Sequence, residues 1–359
     1  MNNIYVLTPD FKLEGIIDEY VSIIWRPSYS DVGDFEIYLG ATDKAINLLQ
    51  KNRYVVRSSD ISVDNGVTTY KKVMIIKNIQ IITDVENGDF LCVTGRELKF
   101  LLHQRIVWSQ TTLTGTAENA LRRLVNENAI TPTDNKRIIP HLSLGATVGL
   151  TDTIEKQVTG DYLDKAITEI CIAYNYGWDI FITNNTLVFV VYTGLDRSYE
   201  QTDRPYVVFS DEFENLYNTD YQLFTEEFAN TTLIGGEGEG LERVYTTINN
   251  ANSGLNRYET FTDARDISSN KGSEDEINAA TYLKLLVERG RENLATLSYT
   301  EGFSGEVLSN VAFKYGKDFY VGDTVTVINK YGIKKNVRVL SAIESEDETG
   351  VKLLPQFNI

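Results

Sequence analysis

Hydrophobic and polar residues alternate over short stretches in residues 1–95, and this pattern predicts a β-rich start to the chain. The segments IYVLT, FKLEGIID, YVSIIWRPSY and GDFEIYLG are rich in β-branched and aromatic residues, with turn-forming residues between them. One short helix is expected over 42–52. The Asn-Gly pair within 86–89 lies between two apolar runs, which is a strong hairpin signal. We therefore expect a barrel-like N-terminal domain with one short helix.

The spacing of apolar residues changes to that of helices in residues 96–200. Leu163, Ile167, Ile170 and Tyr174 recur at intervals of three and four residues, so they share one face of a helix. Alternating residues around the Asn-Asn pair at 184–185 then predict a hairpin. We expect a helical or α+β domain over this range.

The rest of the chain combines strands with one long helix. Residues 201–300 are predicted to form an acidic, β-rich segment and a helix over 274–296, which begins with a capping box of Ser273 and Glu276. Residues 301–359 alternate again around two glycine-containing turns, as in a small barrel. The expected fold class is α+β and β-rich, with several domains: small β-barrel-like hub domains at or near both ends of the chain and α/β insertions between them.

The composition agrees with a folded protein of two or three domains. Of the 359 residues, 42% are hydrophobic, 11% are aromatic and only 6 residues are proline. Cys92 and Cys171 lack the spacing of metal or redox sites and lie among apolar residues, so we expect buried thiols. No signal peptide or membrane-spanning apolar run is apparent, which predicts folding in the cytoplasm and no membrane insertion.

The charge of the chain is strongly acidic and unevenly distributed. A formal net charge of −17 argues against non-specific binding to nucleic acids or anionic membranes, because such binding needs basic surfaces. Residues 200–242 alone contain 11 acidic residues and one basic residue, a net charge of −10. This segment therefore carries more than half of the negative excess.

The same segment contains glycine and glutamate in strict alternation, from Gly236 through Glu237, Gly238 and Glu239 to Gly240. A phosphate-binding loop would need a lysine after its last glycine, and two carboxylates would repel phosphate. A weak cation site stays open, because alternating oxygen ligands suit calcium. The favoured interpretation is an extended strand with the three glycines on a bare face and the glutamates on the other. Its plainest form is a solvated hairpin edge.

No residue pattern indicates a catalytic, cofactor-binding or metal-binding site. His103 and His141 have apolar neighbours and are expected to be structural, and no zinc-binding spacing is present. A glycosidase needs only two suitably placed carboxylates. With 51 acidic residues in the chain, the sequence neither supports nor excludes that chemistry.

Several segments, in their order along the chain, resemble the tail hub proteins of siphophages. They are GIIDEYVSIIWRPSYSDVGDFEIYL, MIIKNIQIITDVENGDFLCVTGRELKFLLHQRIVW, GLDRSY with YVVFSDEFENLYNTDY, LIGGEGEGLER and YGKDFYVGDTVTVINKYGI. They are similar to the N-terminal hub portion of tail-associated lysins and, more distantly, to the baseplate hub of contractile phages.

This resemblance implies a non-enzymatic structural protein of the virion, without cofactors. It implies a homotrimeric ring at the distal end of the tail tube, which joins the tube to the tip and lets DNA pass without specific binding. The implied partners are the tail tube or a distal tail protein, and tip, spike or receptor-binding baseplate proteins. Assembly is expected in the cytoplasm of the bacterial host. Since the chain ends directly after its last strands, any lytic activity is expected from another chain.

A channel wall rich in carboxylates would repel the phosphates of passing DNA. Glu237, Glu239 and Glu242 are therefore candidate channel-facing or interface residues. Two functions of other classes stay open. One is a cell-wall-degrading tail enzyme of glycosidase type, and the other is a carbohydrate-binding receptor protein, which the 21 tyrosines favour.

Overall fold

The computed structural model describes residues 2–358 apart from residues 87, 273–275, 299 and 308–312. Within this described part, no helix is long and apolar enough to cross a membrane. The N-terminal region forms a helix, α1 (Asp43–Leu48), and the strands β1 (Ile4–Leu7), β2 (Leu13–Ile17), β3 (Ser22–Arg26), β4 (Asp34–Gly40), β5 (Tyr54–Arg57), β6 (Ile61–Asp64), β7 (Val67–Tyr70), β8 (Met74–Ile82) and β9 (Phe90–Glu97).

Two local sequence signals in this region are confirmed. Thr42 caps α1 by accepting a hydrogen bond from the amide of Ala45 at 3.2 Å, which fixes the helix start near the expected position. Strands β8 and β9 pair in antiparallel fashion, with Ile82 opposite Phe90, as the hairpin signal predicts. Asn87, the first residue of the Asn-Gly pair, lies outside the described residues.

The middle of the chain contains the expected helices and hairpin. Its elements are β10 (Thr111–Thr116), α2 (Ala117–Val125), β11 (Leu142–Leu144), β12 (Thr153–Val158), α3 (Leu163–Ala173), β13 (Gly177–Thr183) and β14 (Thr186–Tyr192). Leu163, Ile167 and Ile170 are fully buried on the inner face of α3, as their spacing predicts. Asn184 and Asn185 both have positive φ angles, 47° and 55°, and they connect β13 to β14 in a tight hairpin.

The last part of the chain forms α4 (Ala279–Thr296) and the strands β15 (Val208–Ser210), β16 (Leu216–Phe224), β17 (Thr231–Gly235), β18 (Tyr245–Ile248), β19 (Glu259–Asp263), β20 (Thr300–Val307), β21 (Thr324–Ile328), β22 (Lys334–Asp347) and β23 (Gly350–Asn358). The expected start of the long helix is wrong. Asn278 caps α4 by accepting from the amide of Thr281 at 2.9 Å, and Glu276 precedes the helix. Ser273, the other residue of the expected capping box, lies outside the described residues.

One antiparallel sheet joins the two ends of the chain. Its strands follow the order β16-β20-β23-β22-β3-β4-β9-β8, and each neighbouring pair is antiparallel. We call this the eight-strand sheet. Beyond β8 the sheet continues through β5, β1 and β2, while β21 and β15 branch from β22. The division at residues 95, 200 and 300 stays a prediction.

One face of the eight-strand sheet is buried. Under its N-terminal strands lies a core that includes Trp25, Ile37 and Leu91, and under its C-terminal strands lies a second core that includes Phe303 and Val339. A third and larger core surrounds α2, α3, β13 and β14. We call the buried side of the sheet its core-side face, and the opposite side its polar face. The α+β, β-rich fold class is confirmed.

Candidate functional site

The alternating glycines and glutamates form a turn, so the expected strand over these residues is wrong. Strand β17 ends at Gly235, and the chain then bends back into β18, with Gly235 opposite Tyr245. Gly238 has a φ angle of +95°, which breaks an extended path and which residues with a side chain rarely adopt. Strand alternation therefore does not apply here. We call residues 236–242 the acidic loop.

The first glycine of the acidic loop is covered by helix α4. A Cβ atom on Gly236 would lie 2.5 Å from the hydroxyl of Tyr282 and 2.9 Å from the Leu286 side chain. The Tyr282 hydroxyl accepts a hydrogen bond from the Glu237 amide at 2.7 Å and donates one to the Ile267 carbonyl at 3.2 Å. Gly236 is thus needed for close packing against a helix rather than for a bare strand face.

The three candidate carboxylates have different surroundings. Glu237 accepts hydrogen bonds from the amide of Ser269, at 3.1 Å, and from its hydroxyl, so this carboxylate ties the acidic loop to the segment before α4. Glu239 and Glu242 are exposed. Whether Glu237, Glu239 and Glu242 face a channel is decided only when several copies assemble, so that part stays a prediction.

An arginine braces the acidic loop from the other side. Arg243 lies across Gly235, donates to the Gly235 carbonyl at 2.8 Å and pairs with Asp263 at 2.6 Å. Its guanidinium also lies 5.6 Å from the ring of Tyr245 and 5.3 Å from the ring of Phe261. Hydrogen bonds from Arg265 and Arg243 lower the pKa of Asp263 to about 2.

The eight-strand sheet ends in two open edges, and the first is β8. Its outer edge pairs with β5 only at Met74 and Ile75, and no described strand pairs with it after Ile76. Ile79 and Ile81 lie opposite core residues of β9, so they point to the core-side face, yet they are 37% and 50% exposed. The open half of β8 therefore extends its apolar side chains past the protein's own core.

The second open edge is β16. It pairs with β20 on one side, and among the described residues no strand pairs with its other side. Leu223 lies on the core-side face and is 52% exposed, and the next residue, Phe224, is 59% exposed. Both ends of the sheet thus combine unpaired backbone groups with apolar side chains, a combination that favours pairing with another strand.

Polar residues cover the opposite face of the eight-strand sheet. Strand pairing places Gln222, Ser304, Gln356, Ser345 and Thr94 on that face, because directly opposite residues share a side. Its described charged residues are five acids and five bases: Asp34, Glu36, Asp220, Glu306 and Asp347, and Arg26, Arg96, Lys334, Arg338 and Lys352. Arg26 and Arg96 pair with Asp34, and Lys334 pairs with Glu200, whereas Glu36 and Asp220 form no ion pair among the described residues. The face also carries the apolar Ile24, Ile343 and Leu354.

A cavity between β12, α3 and α4 contains the densest group of carboxylates. Its volume is 420 Å³, and its lining includes Asp161, Glu169, Asp266, Glu292, Lys156 and Arg289. Lys156 donates to Glu169 at 3.2 Å and to Glu292 at 2.5 Å. Arg289 binds both oxygens of Asp266, at 3.0 and 2.8 Å.

Two opposing effects set the pKa values in this cavity. Burial raises the pKa of Glu292. Burial also acts to raise the pKa of Asp266, but the hydrogen bonds from Arg289 outweigh it and lower that pKa. Lys156 and Arg289 hold Glu169, Glu292 and Asp266 in ion pairs that join α4 to the body of the protein. Asp161 forms no ion pair among the described residues, and burial raises its pKa, but no second unpaired carboxylate lines the cavity beside it.

His103 and the two cysteines have structural surroundings in the described part of the chain, whereas His141 is exposed and its ring meets the edge of Phe11. His103 Nδ1 lies 3.0 Å from Asp164, and its ring is stacked between Phe100 and Tyr162 at 4.7 and 4.2 Å. Cys171 is buried as expected, whereas Cys92 is only half-buried because it lies on the polar face of β9. No group of three or more His, Cys, Asp or Glu residues suited to a metal ion occurs among the described residues.

A comparison with known families matches nearly the whole chain. The family described as Siphovirus ReqiPepy6 Gp37-like protein matches residues 3–357. The chain belongs to this family. No protein of curated function matches this family member in sequence.

Solved structures of tail proteins share the fold of this chain. A tail protein from Neisseria meningitidis MC58 superposes with a TM-score of 0.59 at 14% identity, covering 100% of this chain and 96% of that one. The 43 kDa tail protein of prophage MuSo2 from Shewanella oneidensis gives 0.60 at 11% identity, covering 99% and 98%. Prophage tail protein gp18 from Listeria monocytogenes gives 0.51 at 13% identity, covering 99% and 94%.

These matches extend over complete chains, so the similarity concerns the whole architecture and not one shared domain. The resemblance to siphophage tail hub proteins, which rested on the order of several segments, is confirmed at the level of family and fold. The sequence did not identify the two open edges. Strands β8 and β16 are each followed by a turn, but only the pairing of distant strands shows that both lie at sheet edges.

Proposed function

We propose that this protein is a structural hub of a phage or phage-tail-like particle. Three copies close into a ring at the distal end of the tail tube, joining the tube to the tip, and DNA passes through the ring. The proposal places the chain in the virion or tail particle, after assembly in the bacterial cytoplasm. Its neighbours are the tail tube or a distal tail protein on one side and tip, spike or receptor-binding proteins on the other.

The observation that carries the proposal is the pair of open edges. All pairings from β16 to β8 are antiparallel, and eight strands separate into four of each direction, so the two edge strands run in opposite directions. Copies related by rotation can therefore pair β8 of one with β16 of the next without breaking the antiparallel pattern. Such pairing would also cover Ile79, Ile81 and Leu223, which lie on the same face.

The size of such a ring suits a channel. Three copies would supply roughly 24 strands, and at about 4.8 Å per strand the circumference would be roughly 115 Å. The corresponding backbone diameter of roughly 37 Å, before strand tilt, admits a DNA duplex. In this arrangement the polar face lines the channel. Arg26, Arg96 and Lys334 on that face are held in ion pairs, so carboxylates without an ion pair among the described residues, such as Glu36 and Asp220, would repel DNA phosphates.

Crosslinking between copies tests the proposal. A chain with Cys92→Ser, Gln80→Cys and Gln222→Cys carries one thiol on each open edge, both on the polar face. A short bismaleimide should convert it to covalent dimers and trimers. A matched chain with Ser62→Cys in place of Gln80→Cys, which moves one thiol to exposed strand β6, should stay monomeric. Equal crosslinking of both chains would contradict ring closure through these edges.

A further inference from the structure

The open edge of β8 begins beside a pair of lysines without acidic partners. Lys77 occupies the bulge directly before the open half of β8, and its ammonium group donates to Asn52 at 3.2 Å. Lys51 lies on the adjoining loop and is exposed. Among the described residues, neither lysine has a carboxylate within salt-bridge distance, whereas the neighbouring Arg53 pairs with Glu14 at 3.3 Å.

The positive charge at this point is not balanced within one copy. Burial and the charge of Lys51 lower the pKa of Lys77 below its ordinary value. The ring of Phe100, 5.5 Å from the ammonium group, supplies only a weak neutral contact. In a chain of net charge −17, two adjacent lysines left without a carboxylate form a local exception that suits an acidic partner.

The other open edge ends in two unpaired acids. Strand β16 ends at Phe224, and Glu226 and Glu227 form the turn that follows. Both glutamates are exposed, and neither forms an ion pair within the described part of the chain. They therefore present two free carboxylates next to the apolar Leu223 and Phe224.

The direction of the strands brings these two charged groups together between copies. If β16 of one copy lies antiparallel to β8 of the next, its C-terminal end lies beside the first residues of the open half of β8. Those first residues follow Lys77. The glutamates after β16 would then reach the two lysines, while the reverse direction would move them to the far end of β8, near the acidic Asp84 and Glu86.

We infer that Glu226 and Glu227 of one copy bind Lys51 and Lys77 of a second copy and so fix the register of the strands at the ring interface. This inference rests on the proposed ring closure. Backbone pairing alone tolerates a shift by two residues, which keeps every side chain on its face, so a charge contact at one end selects among registers. Opposite charges at a docking surface also speed association and disfavour wrong partners.

Charge reversal and its compensation test the inference, with the thiols at positions 80 and 222 as the readout in every chain. Lys51→Glu with Lys77→Glu should reduce the yield of crosslinked trimer at least about tenfold at low salt, and so should Glu226→Lys with Glu227→Lys. Combining all four substitutions should restore most of the yield. Matched controls carry the same charge changes elsewhere, at exposed positions: Glu19→Lys with Glu348→Lys, and Lys136→Glu with Lys271→Glu. Thermal unfolding of each substituted chain checks that it is folded.

Each result decides between distinct conclusions. Loss with both reversals, recovery in the combined chain and near-normal yield in the controls support the inference. Reversed chains that crosslink like the parent, or a combined chain that does not recover, overturn the charge contact but leave ring closure intact. A parent chain that forms no crosslinks between positions 80 and 222 overturns ring closure through these edges and the inference together.

Discussion

Arg57, the last residue of β5, donates a hydrogen bond to Glu344 on β22 at 2.7 Å, across 287 residues of sequence. The guanidinium also pairs with Asp60 at 2.8 Å, and its side chain is only 3% exposed. This buried contact fastens the C-terminal strand to the N-terminal one where β22 and β3 pair, with Glu344 opposite Trp25. The single sheet that spans both ends of the chain depends on this seam.

Replacing Arg57 by Met should lower the free energy of unfolding by about 3 kcal/mol, because Glu344 would lose its cation and Asp60 would keep only Lys72, 3.5 Å away, in a mostly buried setting. Urea unfolding measures the change. Arg123→Met is the control, since Arg123 pairs with Glu127 at an exposed position and should change stability by less than about 0.5 kcal/mol. Similar losses of stability in both variants would refute a special role for the buried contact between Arg57 and Glu344.

Gly236→Ala should destabilise the protein by about 1–3 kcal/mol, because the added methyl group would overlap the Tyr282 hydroxyl and Leu286 in a packed interface. Thermal unfolding followed by circular dichroism is a suitable measurement. Gly40→Ala serves as the control, since a Cβ atom there meets nothing within 4 Å. If Gly236→Ala is as stable as Gly40→Ala, α4 does not pack on the acidic loop as described.

The sequence was informative where local residues decide the structure. The Asn-Asn hairpin at 184–185, the apolar face of α3 and the Thr42 cap all follow from neighbouring residues. The alternating glycines and glutamates were misassigned because alternation predicts a strand only if the backbone stays extended. Here Gly238 turns the chain. Gly236 must lack a side chain because Tyr282, which is distant in sequence, packs against it.

The candidate site depends even more on distant pairing. Nothing in the sequence of β8 or β16 distinguishes an edge strand from a central one, since both alternate and both are followed by turns. Their position follows from the pairing of β22 with β3, which joins segments more than 300 residues apart.

Stability should fall as the pH rises from about 4 to about 6 through the ionisation of Asp179. Burial raises the pKa of this β13 residue to about 6 in the folded protein, above its usual value of about 3.9 in an unfolded chain. The folded state thus binds the proton more tightly, so the stabilisation is complete below the unfolded pKa and is lost as the pH passes the folded one. Asp179→Asn should flatten this part of the stability profile.

Unfolding in urea at a series of pH values measures this slope. The control is Asp203→Asn, since Asp203 is exposed and should leave the profile unchanged. A profile that keeps its slope between pH 4 and 6 in Asp179→Asn would assign the pH dependence to another group.

Purified peptidoglycan should release no reducing sugar when incubated with the protein. In the cavity between β12, α3 and α4, Lys156 and Arg289 hold Glu169, Glu292 and Asp266 in ion pairs, so the unpaired Asp161 has no second free carboxylate among the described residues of the cavity to act with it. A reducing-end assay with a known muramidase as positive control measures the release. Activity that disappears in Glu292→Gln or Asp161→Asn would establish the glycosidase alternative and would contradict a purely structural role.

Ile81→Lys should abolish crosslinking between the open edges while leaving the fold intact. The side chain is half-exposed in one copy, so lysine can extend into solvent at little cost in stability. In the ring, by contrast, Ile81 would lie against Leu223 of the next copy, and a charge buried there without a partner is strongly unfavourable. The yield of covalent trimer from thiols at positions 80 and 222 measures the effect.

Val63→Lys makes the same change on exposed strand β6 and should crosslink like the parent. If Ile81→Lys also crosslinks normally, the core-side faces of β8 and β16 do not meet, and the polar face does not line a closed ring.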